Sequence, residues 1–188
     1  MKSYKFHIIT FIAALLVANS VWAANKSGTI NGYTLSANET WEVTGTINLS
    51  GTIVIPNGKK LTITNTSGSN KTIRPANAIN GPMFKIEDGG KLVMTGSSGN
   101  LIVINGRTTF DGTAGSASVH PFTANGSTYN LATRSTTYKV DEAIQNTNGT
   151  LTLDYVYIQN INGRGSGGGI LINGKNYGES RVTTIRNC

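Results

Sequence analysis

Hydrophobic residues in this chain come in short bursts that alternate with polar ones. Ile53-Val54-Ile55, Leu61-Thr62-Ile63, Phe84-Lys85-Ile86, Leu92-Val93-Met94 and Leu151-Thr152-Leu153 each set apolar side chains two residues apart. A period of two buries one row of side chains and wets the other, so each burst predicts a half-buried β-strand. The bursts are short and end near Gly, Asn or Asp, the residues that close strands with turns.

The bursts also repeat. Ile53 to Thr64 reads IVIPNGKKLTIT and Phe84 to Thr95 reads FKIEDGGKLVMT, matching without a gap at an offset of 31. Each copy is a strand, an Asn-Gly or Asp-Gly turn, a lysine and a second strand. A looser third copy, Asn148 to Leu153, follows the second by 59 residues, read as about two periods. An Asn-Gly turn between alternating strands ordinarily predicts an antiparallel hairpin. The return of the same residue types at the same phase points instead to parallel rungs stacked about 4.8 Å apart, their amides pairing along the stack.

A second signature is Ile-x-Asn, at Ile63-Thr64-Asn65, Ile158-Gln159-Asn160 and Ile185-Arg186-Asn187. Asn tolerates the left-handed backbone of a sharp corner, and stacked Asn amides can bond along a cross-β axis. Two arrangements are open for these residues: an amide ladder at the corners, or ordinary loop asparagines.

The run from Leu151 to Gly174, LTLDYVYIQNINGRGSGGGILING, and the later VTTIRNC resemble right-handed parallel β-helix proteins of the pectate-lyase-like kind. They are especially similar to the repeats of bacterial surface adhesins and polymorphic outer-membrane proteins. Asn105 to Gly112, NGRTTFDG, is similar to a strand-plus-Asp-Gly stretch of that superfamily. The resemblance covers roughly Trp41 to Cys188, through motifs of low complexity. It implies an all-β fold, a right-handed parallel β-helix (solenoid) of one domain. It implies little about activity, because such scaffolds host lyases, hydrolases, adhesins and inert stalks.

Lys2 and Lys5 precede an apolar run from Phe6 to Ala18, and Val21 and Ala23 stand where a signal peptidase reads small residues. Residues 1–23 are therefore expected to be a cleaved signal peptide. With the bacterial resemblance, that places the protein outside the cell, secreted or on the outer surface. No later apolar run is long enough to span a bilayer as a helix. Residues 24–40 are expected to cap the coil and 41–188 to form it. Residues 108–139 lack alternation and are expected to leave it as a long loop. The repeat runs into Cys188 without a closing element, so either further rungs of the same protein are expected beyond it or a partner subunit is expected to cover the edge.

Composition narrows the partners. Gly (23), Thr (25), Asn (21) and Ser (15) dominate while charged residues make up 13%, which excludes coiled coils and helical bundles. The chain carries +7, and loss of Lys2 and Lys5 with the signal leaves +5. Its basic residues are scattered apart from Lys59-Lys60, with no interleaved aromatics, so no nucleic-acid partner is expected. The charge reads as solubility or weak attraction to acidic surface polymers. Cys188 is the sole cysteine, and only His120 of the two histidines survives signal removal. Neither an intrachain disulfide nor a zinc cluster is expected.

Candidate chemistry is sparse. A β-helix lyase needs a base, plus calcium or arginine to hold the developing charge. Among the acids after the signal only Glu87-Asp88 and Asp141-Glu142 are adjacent, and strand neighbours face opposite ways, so neither pair chelates alone. A glycoside hydrolase needs two carboxyl groups about 5 to 9 Å apart. Asp111 and Asp154 are candidates for such a pair, but Asp111 before Gly112 reads as a turn former and Asp154 as an outward strand residue. The glycines from Gly163 to Gly169 lack the Lys-Ser or Lys-Thr of a phosphate loop. No catalytic, metal or cofactor-binding residue is assigned, and no cofactor is expected.

The candidate binding residues are Tyr155 and Tyr157. Their equal parity puts them on one face of a single predicted strand with Leu151 and Leu153, opposite Val156 and Ile158. One row faces out unless a bulge intervenes, and an outward Tyr pair would form a glycan platform, stacking along a rung being the other arrangement. Thr62 and Thr64 form a Thr-x-Thr pair that does not recur in register along the sequence. The function expected from the resemblance is an adhesin-like binding and display scaffold for polysaccharide or host-surface glycans. A polysaccharide lyase or glycoside hydrolase, and a structural stalk without ligand, are the alternatives.

Overall fold

A computed structural model describes residues 23–106, 109–110, 119–124, 127–132, 136–137, 140–161, 169–174 and 182–188; between 109 and 137 it describes backbone only. All regular structure among these residues is β-strand.

The strands fall into successive passes, each laid on the one before. β1 (Ala24–Ile30) and β2 (Tyr33–Thr34) come first, then β3 (Glu39–Leu49) and β4 (Ile53–Ile55), then β5 (Lys60–Thr64), β6 (Lys71–Pro75) and β7 (Phe84–Ile86). β8 (Lys91–Thr95) and β9 (Ile102–Asn105) begin the next pass. The chain then departs through β10 (Thr109–Phe110), β11 (Val119–Ala124), β12 (Ser127–Ala132) and β13 (Thr136–Thr137), and returns as β14 (Ile144–Thr147). β15 (Thr150–Asp154), β16 (Val156–Gln159) and β17 (Ile170–Asn173) form another pass, and β18 (Thr183–Arg186) lies on β15.

Two parallel sheets result. One has the order β16-β9-β6-β3-β5-β8-β15-β18 with β1 also on β3; the other runs β17-β14-β7-β4-β2. β3 is long because it serves two stacks. Its first half pairs with β5, Trp41 opposite Ile63, and its second half with β6, Ile47 opposite Ile73. The sheets curl, solenoid-like, about one apolar core.

That core is built of columns. Trp41, Ile63, Met94 and Leu153 lie in register, as do Leu61, Leu92 and Leu151, then Ile47, Ile73 and Ile104, and Ile53, Phe84 and Ile144. All of these are buried. Each such side chain contributes about 1.5–3 kcal/mol by leaving water. The alternation in the sequence is thus one row of each strand turned to a common interior.

The offset of 31 is the length of one pass, since Lys60 pairs with Lys91 and Ile53 with Phe84. The third copy needs correcting. Leu151 rests directly on Leu92, so the 59-residue spacing is one pass lengthened by the excursion and not two periods. The Asn-Gly and Asp-Gly turns are not hairpins either. Gly58, Gly89 and Asn148 all take left-handed backbone, with φ of 69°, 76° and 60°. They stack in one column: Gly58 N donates to Gly89 O, and Gly89 N to Asn148 O. A repeated left-handed corner is why Gly and Asn return there.

Segment 24–40, read as a cap, supplies strands β1 and β2, which pair in parallel with β3 and β4. Within the expected loop of 108–139, the described backbone forms two antiparallel pairings, β10 with β13 and β11 with β12. The stack closes around this excursion: β14 lies on β7, β15 on β8 and β16 on β9. The expected signal peptide falls, apart from residue 23, outside the described residues. No helix among the described residues is long and apolar enough to cross a membrane.

Candidate functional site

Tyr155 and Tyr157 do not sit on one strand. Tyr155 is a left-handed corner, φ 55°, between β15 and β16. Its carbonyl accepts from Ile102 N and its own N–H donates to Arg186 O. The corner reverses parity: Leu153 and Val156 are buried, while Tyr157 is 51% exposed on β16. Tyr157 points outward beside Val103, its register partner. Tyr155 is held at the corner by Gly96, where a Cβ would stand 2.9 Å from Tyr155 O.

Among the described residues, none of the three Ile-x-Asn amides bonds another. Asn160 and Asn187 take left-handed φ of 54° and 51°. Asn65 is buried: its Nδ2 donates to Ser69 O and Leu101 O, and its Oδ1 accepts from Ser67. Asn160 donates to Asn105 Oδ1 at 3.2 Å, an amide pair linking two different sequence positions.

Two polar groups were hidden from pattern reading because they stand in apolar columns. Asn146 is buried opposite Ile86 and Ile172, where its amide spans the next turn, accepting from Gly149 N at 2.8 Å and donating to Gly149 O. Glu39 stands below Leu61 and accepts from the Tyr33 hydroxyl at 2.6 Å and Trp41 Nε1 at 2.9 Å. Burial, then the Glu39 carboxylate, pushes the Tyr33 phenol up from its ordinary value. Lys26 Nζ lies 5.6 Å over the Trp41 ring. A cation, an indole and a carboxylate close this end of the core.

The acids are mostly engaged. Asp154 accepts from Arg186 at 2.7 Å and from Asn187 at 2.9 Å. Glu87 pairs with Lys85 at 3.2 Å, and Asp88 accepts from Asn148. Glu42 accepts from Thr64 Oγ1 and from Thr66 N and Oγ1. Burial and then the neighbouring Asp141 charge raise the Glu142 carboxyl above its ordinary value. Asp111, paired with Asp154 in the sequence reading, lies outside the described residues. Among the described residues no three His, Cys, Asp or Glu side chains gather as a metal group.

The outward face of β5, β8 and β15 is a regular surface. Thr62, Val93, Thr152 and Thr184 form one column on it, so threonine does recur in register, through pairing that the linear Thr-x-Thr spacing concealed. Lys60 and Lys91 form the column at its margin. Chemically this face offers hydroxyls and ammonium groups at strand spacing, with the Asp154 carboxylate, bonded to Arg186, at its opposite margin. No family model matches the chain, and neither a curated protein nor a solved structure is detectably similar to it.

Proposed function

We propose that this chain is a right-handed parallel β-helix of the kind its repeats resemble, exported to the bacterial surface, where it acts as an adhesin-like scaffold binding polysaccharide or host-surface glycans. The observation that carries the reading is the stack's indifference to its excursion. β14, β15 and β16 keep register with β7, β8 and β9 although residues 106–143 intervene between β9 and β14. A coil that holds register across so long a departure can present that segment while remaining rigid beneath it. The outward Tyr157 and the hydroxyl column add surfaces on which sugar rings and hydroxyls can rest.

The test is binding of the purified chain to a panel of immobilised glycans, with reducing ends and unsaturated products followed in the same samples. Saturable binding without product is the expected result. Product formation would move the reading to the lyase or hydrolase alternative, and absence of binding to the stalk.

A further inference from the structure

We propose that Lys60 and Lys91, with the threonine column beside them, form a binding strip for a linear sulfated glycan. The inference deepens the scaffold reading above and rests on it. Lys60 and Lys91 are register partners and both exposed, so their backbones stand one strand spacing apart, about 4.8 Å. Like charges placed directly opposite one another on a sheet repel. Among the described residues neither ammonium meets a carboxylate; the ion pairs there are Lys85–Glu87 and Arg186–Asp154.

The fold does not require lysine in this column. Asn38 lies below Lys60 and accepts from its backbone N–H, and Thr150 lies opposite Lys91. Uncharged residues therefore fit the same place in neighbouring passes. Carboxylates close by in sequence are engaged elsewhere: Glu42 by Thr64 and Thr66, Glu87 by Lys85, Asp88 by Asn148. Where a chain breaks a local rule with no internal compensation, a functional site is the expected place for it. An anion running along the stack supplies the missing counter-charge.

The column next to the lysines sets the rest of the chemistry. The hydroxyls of Thr62 and Thr152 make no side-chain hydrogen bond among the described residues, which leaves them for a sugar. β5, β8 and β15 contain no arginine. A guanidinium fork matches a planar carboxylate bidentately, whereas an ammonium is a compact point charge. A strip of lysines alone suits a sulfate ester, whose oxygens point in several directions, over a uronate.

Binding to immobilised dextran sulfate, polygalacturonate and unsulfated dextran is measured for the purified chain and three double variants. The wild type is expected to prefer dextran sulfate, more weakly as salt rises. Lys60→Gln/Lys91→Gln is expected to lose about tenfold, with a melting temperature no lower than the wild type because the repulsion is relieved. Lys71→Gln/Lys85→Gln, which removes the same charge elsewhere, is expected to stay within about twofold. Lys60→Arg/Lys91→Arg is expected to keep dextran sulfate binding and gain affinity for polygalacturonate. Equal losses in the two Gln variants, or polygalacturonate bound by the wild type as tightly as dextran sulfate, would overturn the strip and leave the scaffold reading standing. A wild type that binds no glycan of any charge would overturn both.

Discussion

Leu92 rests on Leu61 as its register partner, one full pass later in the chain, and neither side chain exposes any surface. Leu151 continues the column on the other side of Leu92. A side chain clamped above and below inside the buried core has little room to relax when it is shortened. Leu92→Ala is therefore expected to cost about 2–5 kcal/mol, against a change within about 0.5 kcal/mol for Thr62→Ala on the outward row. Urea denaturation of the two variants measures the difference.

Gly149 and Gly58 both belong to the stacked turns, two passes apart, but fail differently when given a side chain. A Cβ on Gly149 would run into Ile86 Cγ2 and stand 2.7 Å from Gly90 O, a backbone atom that cannot swing away. A Cβ on Gly58 would meet nothing within 4 Å, and only its φ of 69° resists. Gly149→Ala is expected to cost about 3 kcal/mol through overpacking, and Gly58→Ala about 1 kcal/mol through backbone strain. The order of their denaturation midpoints checks this.

Glu42 gives the stack an acid-sensitive contact. Burial raises its pKa, but hydrogen bonds from Thr64 and from Thr66 outweigh that and leave it below the ordinary value. A folded pKa below the unfolded one stabilises the protein above the unfolded value, about 4.3 for Glu, and the contribution is lost as pH falls through the folded value. Thr64→Val removes one donor and raises the folded pKa. The variant is expected to start less stable at neutral pH and to lose less than the wild type on titration to about pH 3. Urea midpoints across that range decide it.

The excursion between β9 and β14 is expected to be dispensable for the fold. Replacing residues 107–139 with a short turn should leave the far-ultraviolet spectrum of the parallel sheets and a single cooperative melt. Loss of cooperativity would show that the departing segment is part of the core. Loop closure favours the shorter connection only modestly, since entropy grows slowly with length.

How legible the molecule is from its sequence depends on where its contacts come from. The strands from Ile53 to Thr64 and from Phe84 to Thr95 could be read because alternation and a left-handed Gly are local signals, and their offset of 31 is the register itself. The corner at Tyr155 could not. LTLDYVYIQ offers only Asp154 beside the bend, which reads equally as an outward strand residue, and its backbone is pinned by Ile102 N and by the space above Gly96, residues more than fifty positions away. Parity carried through that bend put Tyr155 and Tyr157 on one row with Leu151 and Leu153; the left-handed corner at Tyr155 breaks that row, with Leu153 and Val156 buried and Tyr157 exposed. Asn146 misleads in the opposite sense: it occupies a core column because its amide closes the turn to Gly149, a contact that no hydropathy pattern encodes.

The central claim is that each pass lies in register on the last, and paired spin labels test it most directly. With Cys188→Ser as background, labels are attached at Thr62→Cys and Val93→Cys, outward residues that face each other on β5 and β8. Backbones about 4.8 Å apart should give a spectrum dominated by spin exchange, absent from either single label. A double-labelled spectrum equal to the sum of the two singles would contradict the account.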